Sequence, residues 1–359
     1  MTLISAGILD RFGLAREKAG SPSRAVGRVD FVDYGKGLCI ILVVMMHSTL
    51  GVGEAMNAHG WMHYPVEFSR PFRMPDFFLI AGLFLAKTID APWRRFLDRK
   101  VLHFAYFFVI WTAIHLVVKF GNLADPSLYG LLQAFAWRMV EPGSPLWFIY
   151  LLPVFFVTTR LVKKIPWQAV LLAAMVMETV PLTNCGMVID EFMRRFVYFY
   201  AGYRFAPQIF AFARLITGRP AMALAGLALW AVINGLAVFS FSAASAPLAQ
   251  FPGISLLLGY AGSFALVAMA ALLAEIGAMR FLGWLGGRSI VVFLAFVLFM
   301  APTRIVLVKL GLVTDVGTVS FIVMMAALIG PLVMAAVLAR TPLRYLFVRP
   351  QWAKLENTA

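Results

Sequence analysis

Of 359 residues, 62% are hydrophobic and 13% charged, roughly half the charged share of a soluble domain, and mean hydropathy is +0.85. This excludes an ordinary soluble enzyme, and the lack of period-2 alternation excludes an outer-membrane barrel. The net charge of +14 comes from basic residues lying between apolar runs, so it reads as membrane topology rather than as a nucleic-acid surface.

Residues 1–35 come first. Leu3, Ile4, Ile8, Leu9 and Phe12, mixed with Arg11, Arg16 and Lys18, fit either a surface-lying amphipathic helix or a disordered cytoplasmic arm. No cleavage site of the secretory kind follows the first apolar run. Ten apolar segments then occupy 37–55, 72–89, 101–119, 146–162, 167–183, 192–212, 221–241, 252–275, 289–309 and 317–339. Several fall short of the ~20 residues a helix needs to cross a bilayer. Together they predict an all-α polytopic membrane protein with a transmembrane domain over 36–340 and a cytoplasmic basic tail over 341–359. Of 31 Lys and Arg residues, 23 fall on pieces that share the N-terminus's side, which puts both termini in the cytoplasm. Cys39 and Cys185 then lie on opposite sides, so no disulfide is expected between them, and no metal-ligand spacing is present.

The first segment carries the densest chemistry, in "VDYGKGLCIILVVMMHS" (32–48). Lys36 and His47 are 11 residues apart, which is ~16 Å of helix or about half the hydrocarbon thickness. Eleven steps of ~100° return His47 to within about 20° of Lys36, so one stripe links the cytoplasmic surface to the membrane interior. Asp33 lies near that stripe and pairs with Lys36 or orients what Lys36 binds. A polar side chain at this depth faces a bundle interior or a watery cavity. His47 is therefore either a base or a histidine bonded to a neighbouring helix's backbone.

The stretch "DYGKGLCIILVVMMHS" resembles the first-helix signature of the membrane-bound acyltransferase-3 family, in which a basic residue precedes a histidine by eleven positions. Most members have arginine there; lysine, as in Lys36, is similar to the fucose-4-O-acetylase-like branch. The likeness continues in family order through "RMPDFFLIAGLFLA" (73–86), "RFLDRKVLHFAYFFVIW" (95–111), "PLWFIYLLPVFF" (145–156), "YFYAGYRFA" (198–206) and "LGWLGGRSIVVFLAFVLF" (282–299). One departure is visible: many relatives have a second histidine after a "YLLH"-like run, where this chain reads "FLAF", with Phe296.

The resemblance implies a bacterial inner-membrane O-acyltransferase. Acetyl-CoA or another acyl-CoA would be the donor, and a hydroxyl of an extracytoplasmic glycan, glycolipid or other lipid-linked compound the acceptor, with no metal. It implies His47 as the catalytic residue and Lys36, with Asp33, Arg99 and Lys100, as donor ligands. The basic cluster Arg94, Arg95, Arg99 and Lys100 also suits plain topology, but Arg99 and Lys100 match the family's paired basic positions and guanidinium forks suit phosphate.

Arg70 and Arg73 break the charge rule on the outer side, which suggests pairing with Glu67 or Glu141 or meeting the acceptor. Asp76, after Pro75, reads as a helix cap. Glu141 and Trp147 in "EPGSPLWFIY" stand at the outer mouth of the fourth segment, with Trp147 either a belt residue or a platform for a sugar ring. His103 and His115 read as structural. His59 and His63 lack a convincing third metal ligand. Two other function classes fit the composition: a transporter or flippase using Lys36 and His47 for substrate or proton passage, and a non-catalytic membrane partner of the same fold.

Overall fold

A computed structural model describes residues 30–143, 145–180, 185–240, 247–311 and 313–355; the N-terminal arm up to residue 29 lies outside them. The described chain is helical. Its helices are α1 (Asp30–Met56), α2 (His63–Ser69), α3 (Arg73–Leu83), α4 (Trp93–Val118), α5 (Leu128–Val140), α6 (Trp147–Leu161) and α7 (Trp167–Thr179). They continue with α8 (Met187–Arg204), α9 (Ala206–Gly218), α10 (Pro220–Phe239), α11 (Ile254–Glu275), α12 (Arg280–Gly286), α13 (Ser289–Leu310) and α14 (Val316–Leu338).

Six of these, α1, α4, α10, α11, α13 and α14, are long and apolar enough to cross a membrane, so the chain is a polytopic membrane protein. The other four predicted segments are built differently. Segment 72–89 is an 11-residue helix, α3, followed by turns, while α6 and α7 have 15 and 13 residues. Segment 192–212 is not one helix. Phe205, at φ −102° and ψ 19°, separates α8 from α9, and Pro207 in the first turn of α9 has no N–H to carry the α8 ladder across the break. α9 buries Ala206, Ile209 and Ala213 along one face and exposes much of the rest.

α1 is the hub, packed against α3, α11, α12, α13 and α14. Small residues permit this closeness. A Cβ on Gly37 would strike the Leu282 carbonyl, and one on Gly286 the Asp33 carbonyl, so α12 lies directly on the first turns of α1. The same device joins α3 to α8, where Gly82 faces the Phe199 carbonyl and Gly202 the Leu79 carbonyl. The core between is largely aromatic: Phe78, Phe155 and Phe199 are fully buried, with the ring of Phe155 5.0 Å from Phe78 and 5.3 Å from Phe199.

The segment after α14 is docked. It returns along α4, where Tyr106 Oη donates to the Tyr345 carbonyl at 2.9 Å and Trp111 Nε1 to the Leu346 carbonyl at 2.9 Å. Arg349 donates to Asp98 Oδ1 at 2.6 Å and to the Asp98 carbonyl at 2.7 Å, and the Leu355 N–H reaches the same Oδ1 at 2.7 Å. Both members of this ion pair are buried. Asp98 opens a π-helical turn, Asp98–Leu102, within α4. The described part of the basic tail is thus a strap across α4.

Candidate functional site

A cavity of about 340 Å³ opens at the end of the bundle that carries the start of α1. Its walls are largely apolar, with the phenylalanines Phe77, Phe104, Phe148 and Phe293 among them, and Lys36 and Lys100 supply its charge. Lys36 Nζ is 3.3 Å from Asp33 Oδ1 and 4.6 Å from the centre of the Phe84 ring, while Lys100 Nζ lies 4.8 Å over Phe156. Three of the four expected donor ligands therefore gather here. Arg99 does not: it is exposed and lines a separate groove with Asp98, His103 and the strap residues Arg349 and Lys354. Successive residues of a helix diverge by ~100°, so Lys100 shares a face with Phe104 while Arg99 shares one with His103.

α1 runs unbroken past Lys36 to His47, so the spacing read from the sequence survives folding. Aromatic rings connect the cavity to His47. Phe77 is 4.6 Å from Phe148, Phe148 is 5.5 Å from Phe293, Phe293 is 6.4 Å from Phe296, and Phe296 is 5.4 Å from the His47 imidazole. Phe296, which stands where relatives carry a second histidine, is thus the residue packed on the first. His47 is half-buried, and neither ring nitrogen has a hydrogen-bond partner among the described residues.

His115 is its counterexample. It is 5% exposed, and its Nε2 meets the Leu294 carbonyl at 3.2 Å. The structural role that the sequence leaves open for His47, a bond to another helix's backbone, belongs to His115. His59 and His63 have ring centres 4.4 Å apart, with the Gly60 N–H donating to His63 Nδ1 at 3.1 Å. Among the described residues no three of His, Cys, Asp and Glu are grouped to hold a metal ion, and Cys39 and Cys185 are free.

Arg73 is 8% exposed, and its Nη1 donates to the Val66 carbonyl at 3.0 Å and to Ser69 Oγ at 3.1 Å. Arg70, one turn earlier, is exposed and 3.3 Å from Glu67. The two arginines therefore divide, one turned into the bundle and one turned out. Arg70 lines a second cavity, of about 370 Å³, whose walls are polar.

Glu141 joins neither His47 nor an arginine. Its Oε1 accepts the Met187 N–H at 2.6 Å, which caps the first turn of α8. Trp147 is half-buried and packs 6.0 Å from Phe78. Asp76 stands in the first turn of α3, as expected, but it is 1% exposed and its carboxylate makes no capping hydrogen bond. Sequence reasoning also missed Ser48 and Thr49, both fully buried beside His47 with unbonded hydroxyls. It missed as well Arg304, whose Nη1 donates to the Gly51 carbonyl one turn beyond His47 at 3.0 Å. The neighbourhood of a deep histidine was the available signal for Ser48 and Thr49; for Arg304, 253 residues from its partner, there was none.

A family model described as an acyltransferase domain matches residues 29–340. The chain is also similar to the inner membrane protein YcfT of Escherichia coli (strain K12), with 23% identity over 219 residues, 54% of this chain. The match spans 60% of that relative's length. No solved structure matches the chain.

Proposed function

Because the chain belongs to the acyltransferase 3 family, we propose that it transfers an acetyl or other short acyl group from cytoplasmic acyl-CoA to a hydroxyl of an extracytoplasmic glycan, glycolipid or related acceptor. The observation that carries this reading is His47, an unbonded imidazole deep in α1 with a cavity towards either end of the bundle. In this reading α1, α3, α4, α6, α7, α8, α10, α11, α13 and α14 each cross, and both termini are cytoplasmic. The relative's description as an inner membrane protein favours the same membrane here.

The phenylalanine-lined cavity suits the pantetheine arm, with Lys36 and Lys100 at the phosphate-bearing end of the donor. A dry channel also protects the thioester from hydrolysis. His47 takes the proton of the acceptor hydroxyl as its oxygen attacks the thioester carbonyl. The C–S bond then breaks, the sulfur leaves with the proton returned by the imidazolium, and the ester remains on the acceptor. Arg73 adds a fixed positive charge on the acceptor side of His47.

The test is thiol release from acetyl-CoA by the purified protein in nanodiscs, with and without cell-envelope extract. Extract-stimulated release by wild type and its loss in His47→Ala, with both proteins eluting as the same folded species, is the expected result. Equal release by the two proteins removes His47 from the chemistry. No release by either, across several acyl donors and extracts, overturns the enzyme reading.

A further inference from the structure

The second cavity lies at the end of the bundle away from Lys36, beside the start of α8. Three arginines line it, Arg70, Arg194 and Arg195, against two carboxylates, Glu67 and Glu178. Arginines on the non-cytoplasmic side run against the charge rule, so their grouping around one hollow has a cause other than topology. Arg70 is held by Glu67 at 3.3 Å and Arg195 by Glu191 at 3.0 Å, whereas Arg194 is exposed and has no ion-pair or hydrogen-bond partner among the described residues.

Glu178 adds a complementary need. Its Oε1 accepts from Ser255 Oγ at 3.0 Å; the buried Oε2 makes no well-formed hydrogen bond, with the Tyr198 hydroxyl of the same wall beside the carboxylate. A buried carboxylate oxygen calls for a donor, and a hydroxyl supplies one. A planar guanidinium without a partner calls for an oxyanion, which it grips in a fork. Both needs occur in one hollow of about 370 Å³, large enough for a sugar-sized group.

We infer that this cavity binds a polyol bearing a phosphate or carboxylate, with the oxyanion on Arg70 and Arg194 and a hydroxyl on Glu178. The assignment deepens the acyl-transfer reading, on which it rests for calling the ligand an acceptor; its binding test does not depend on turnover. Two sources offer such a group, a water-soluble sugar acid or sugar phosphate and the headgroup of a lipid with a free glycerol.

Isothermal titration of the full-length protein in phosphatidylcholine nanodiscs, with glucose 1-phosphate, glucuronate and glucose, tests it. The anionic sugars should bind at least tenfold more tightly than glucose. The double variant Arg70→Gln/Arg194→Gln should lose that preference, and Arg70→Lys/Arg194→Lys should keep part of it. Glu178→Gln should weaken charged and uncharged sugars alike. His47→Ala should bind as wild type does, which separates this result from any failure of catalysis. Nanodiscs containing phosphatidylglycerol, compared with phosphatidylserine of the same charge, distinguish the sources: competition by the glycerol headgroup alone assigns the cavity to lipid, and equal affinity in both assigns it to a soluble glycan. Equal binding of glucose and glucose 1-phosphate, an unchanged double variant, or no binding of any probe overturns the inference.

Discussion

The two ends of the bundle hold cavities of almost equal volume, about 340 and 370 Å³, built from opposite materials. Near the start of α1, two lysines are laid singly on phenyl rings and the walls are aromatic. At the other end, arginines and glutamates share the wall, and Arg194 has no ion-pair or hydrogen-bond partner among the described residues. Positive charge is common to both, so charge alone does not distinguish a donor site from an acceptor site. What distinguishes them is hydration: an apolar channel suits a thioester arm that must stay dry, and a polar hollow suits a hydroxylated partner. The first is joined to His47 by the packed rings of Phe293 and Phe296.

The most severe way to break this arrangement is to remove the residue that both ends share. His47→Ala should lower acyl transfer by about 10²- to 10⁴-fold, the usual contribution of a general base. It should leave the unfolding temperature in detergent nearly unchanged, because the ring makes no hydrogen bond. His115→Ala should do the reverse. It removes a second bond to the Leu294 carbonyl, which keeps its helical N–H partner, and costs about 0.5–1.5 kcal/mol for that bond, while the folded fraction turns over normally. Next in size is the strap. Arg349→Ala leaves Asp98 charged and buried at the cost of about 3–5 kcal/mol. Limited proteolysis should then cut after α14, and acyl-CoA affinity should fall only through Lys100's neighbourhood. Smaller again is Lys36→Ala, which should raise KM for acyl-CoA by about ten- to a hundredfold, the worth of one charge-assisted bond. Lys36→Arg should restore most of it, and sugar-phosphate binding at the other end should not change.

The Lys36 end was the more legible of the two. Long continuous apolar runs declare α1, α4, α10, α11, α13 and α14, and within α1 the positions of Lys36 and His47 follow from helical arithmetic alone. Hydropathy does not stop at Phe205, so the break between α8 and α9 was invisible, and α5 was hidden in a loop because 13 apolar residues interrupted by Gln133 and Arg138 fall short of the ~20 a crossing helix needs. Contacts across long separations were beyond reach for a different reason. Asp98 meets Arg349 across 251 residues, and Glu141 meets the start of α8 across 46; neither side chain's neighbours in sequence hint at its partner. The resemblance to the acyltransferase-3 pattern did better there, since it marked Phe296 as the place of a missing histidine and Phe296 is the ring against His47.

The smallest effect separates the ends by what their carboxylates are tied to. Asp90, at the Lys36 end, is held below its ordinary range first by the hydrogen bond from Lys163 at 2.7 Å and then by that ammonium's charge. Asp315, capping α14 at the other end, is held down first by the Thr318 hydroxyl at 2.7 Å and then by the Thr318 N–H at 2.6 Å. Both folded pKa values are depressed, so each carboxylate stabilises the fold above its unfolded value of ~3.9 and loses that contribution as pH falls through the folded value. Unfolding temperature measured from pH 6 down to pH 3 should therefore decline less steeply in Asp90→Asn and in Asp315→Asn than in wild type. Salt divides them. At about 1 M salt the Debye length shrinks to ~3 Å, so the Asp90 contribution should largely vanish while the Asp315 cap, made to neutral groups, persists. Equal salt sensitivity at the two positions would show that the Lys163 ammonium adds nothing to Asp90 beyond an ordinary hydrogen bond.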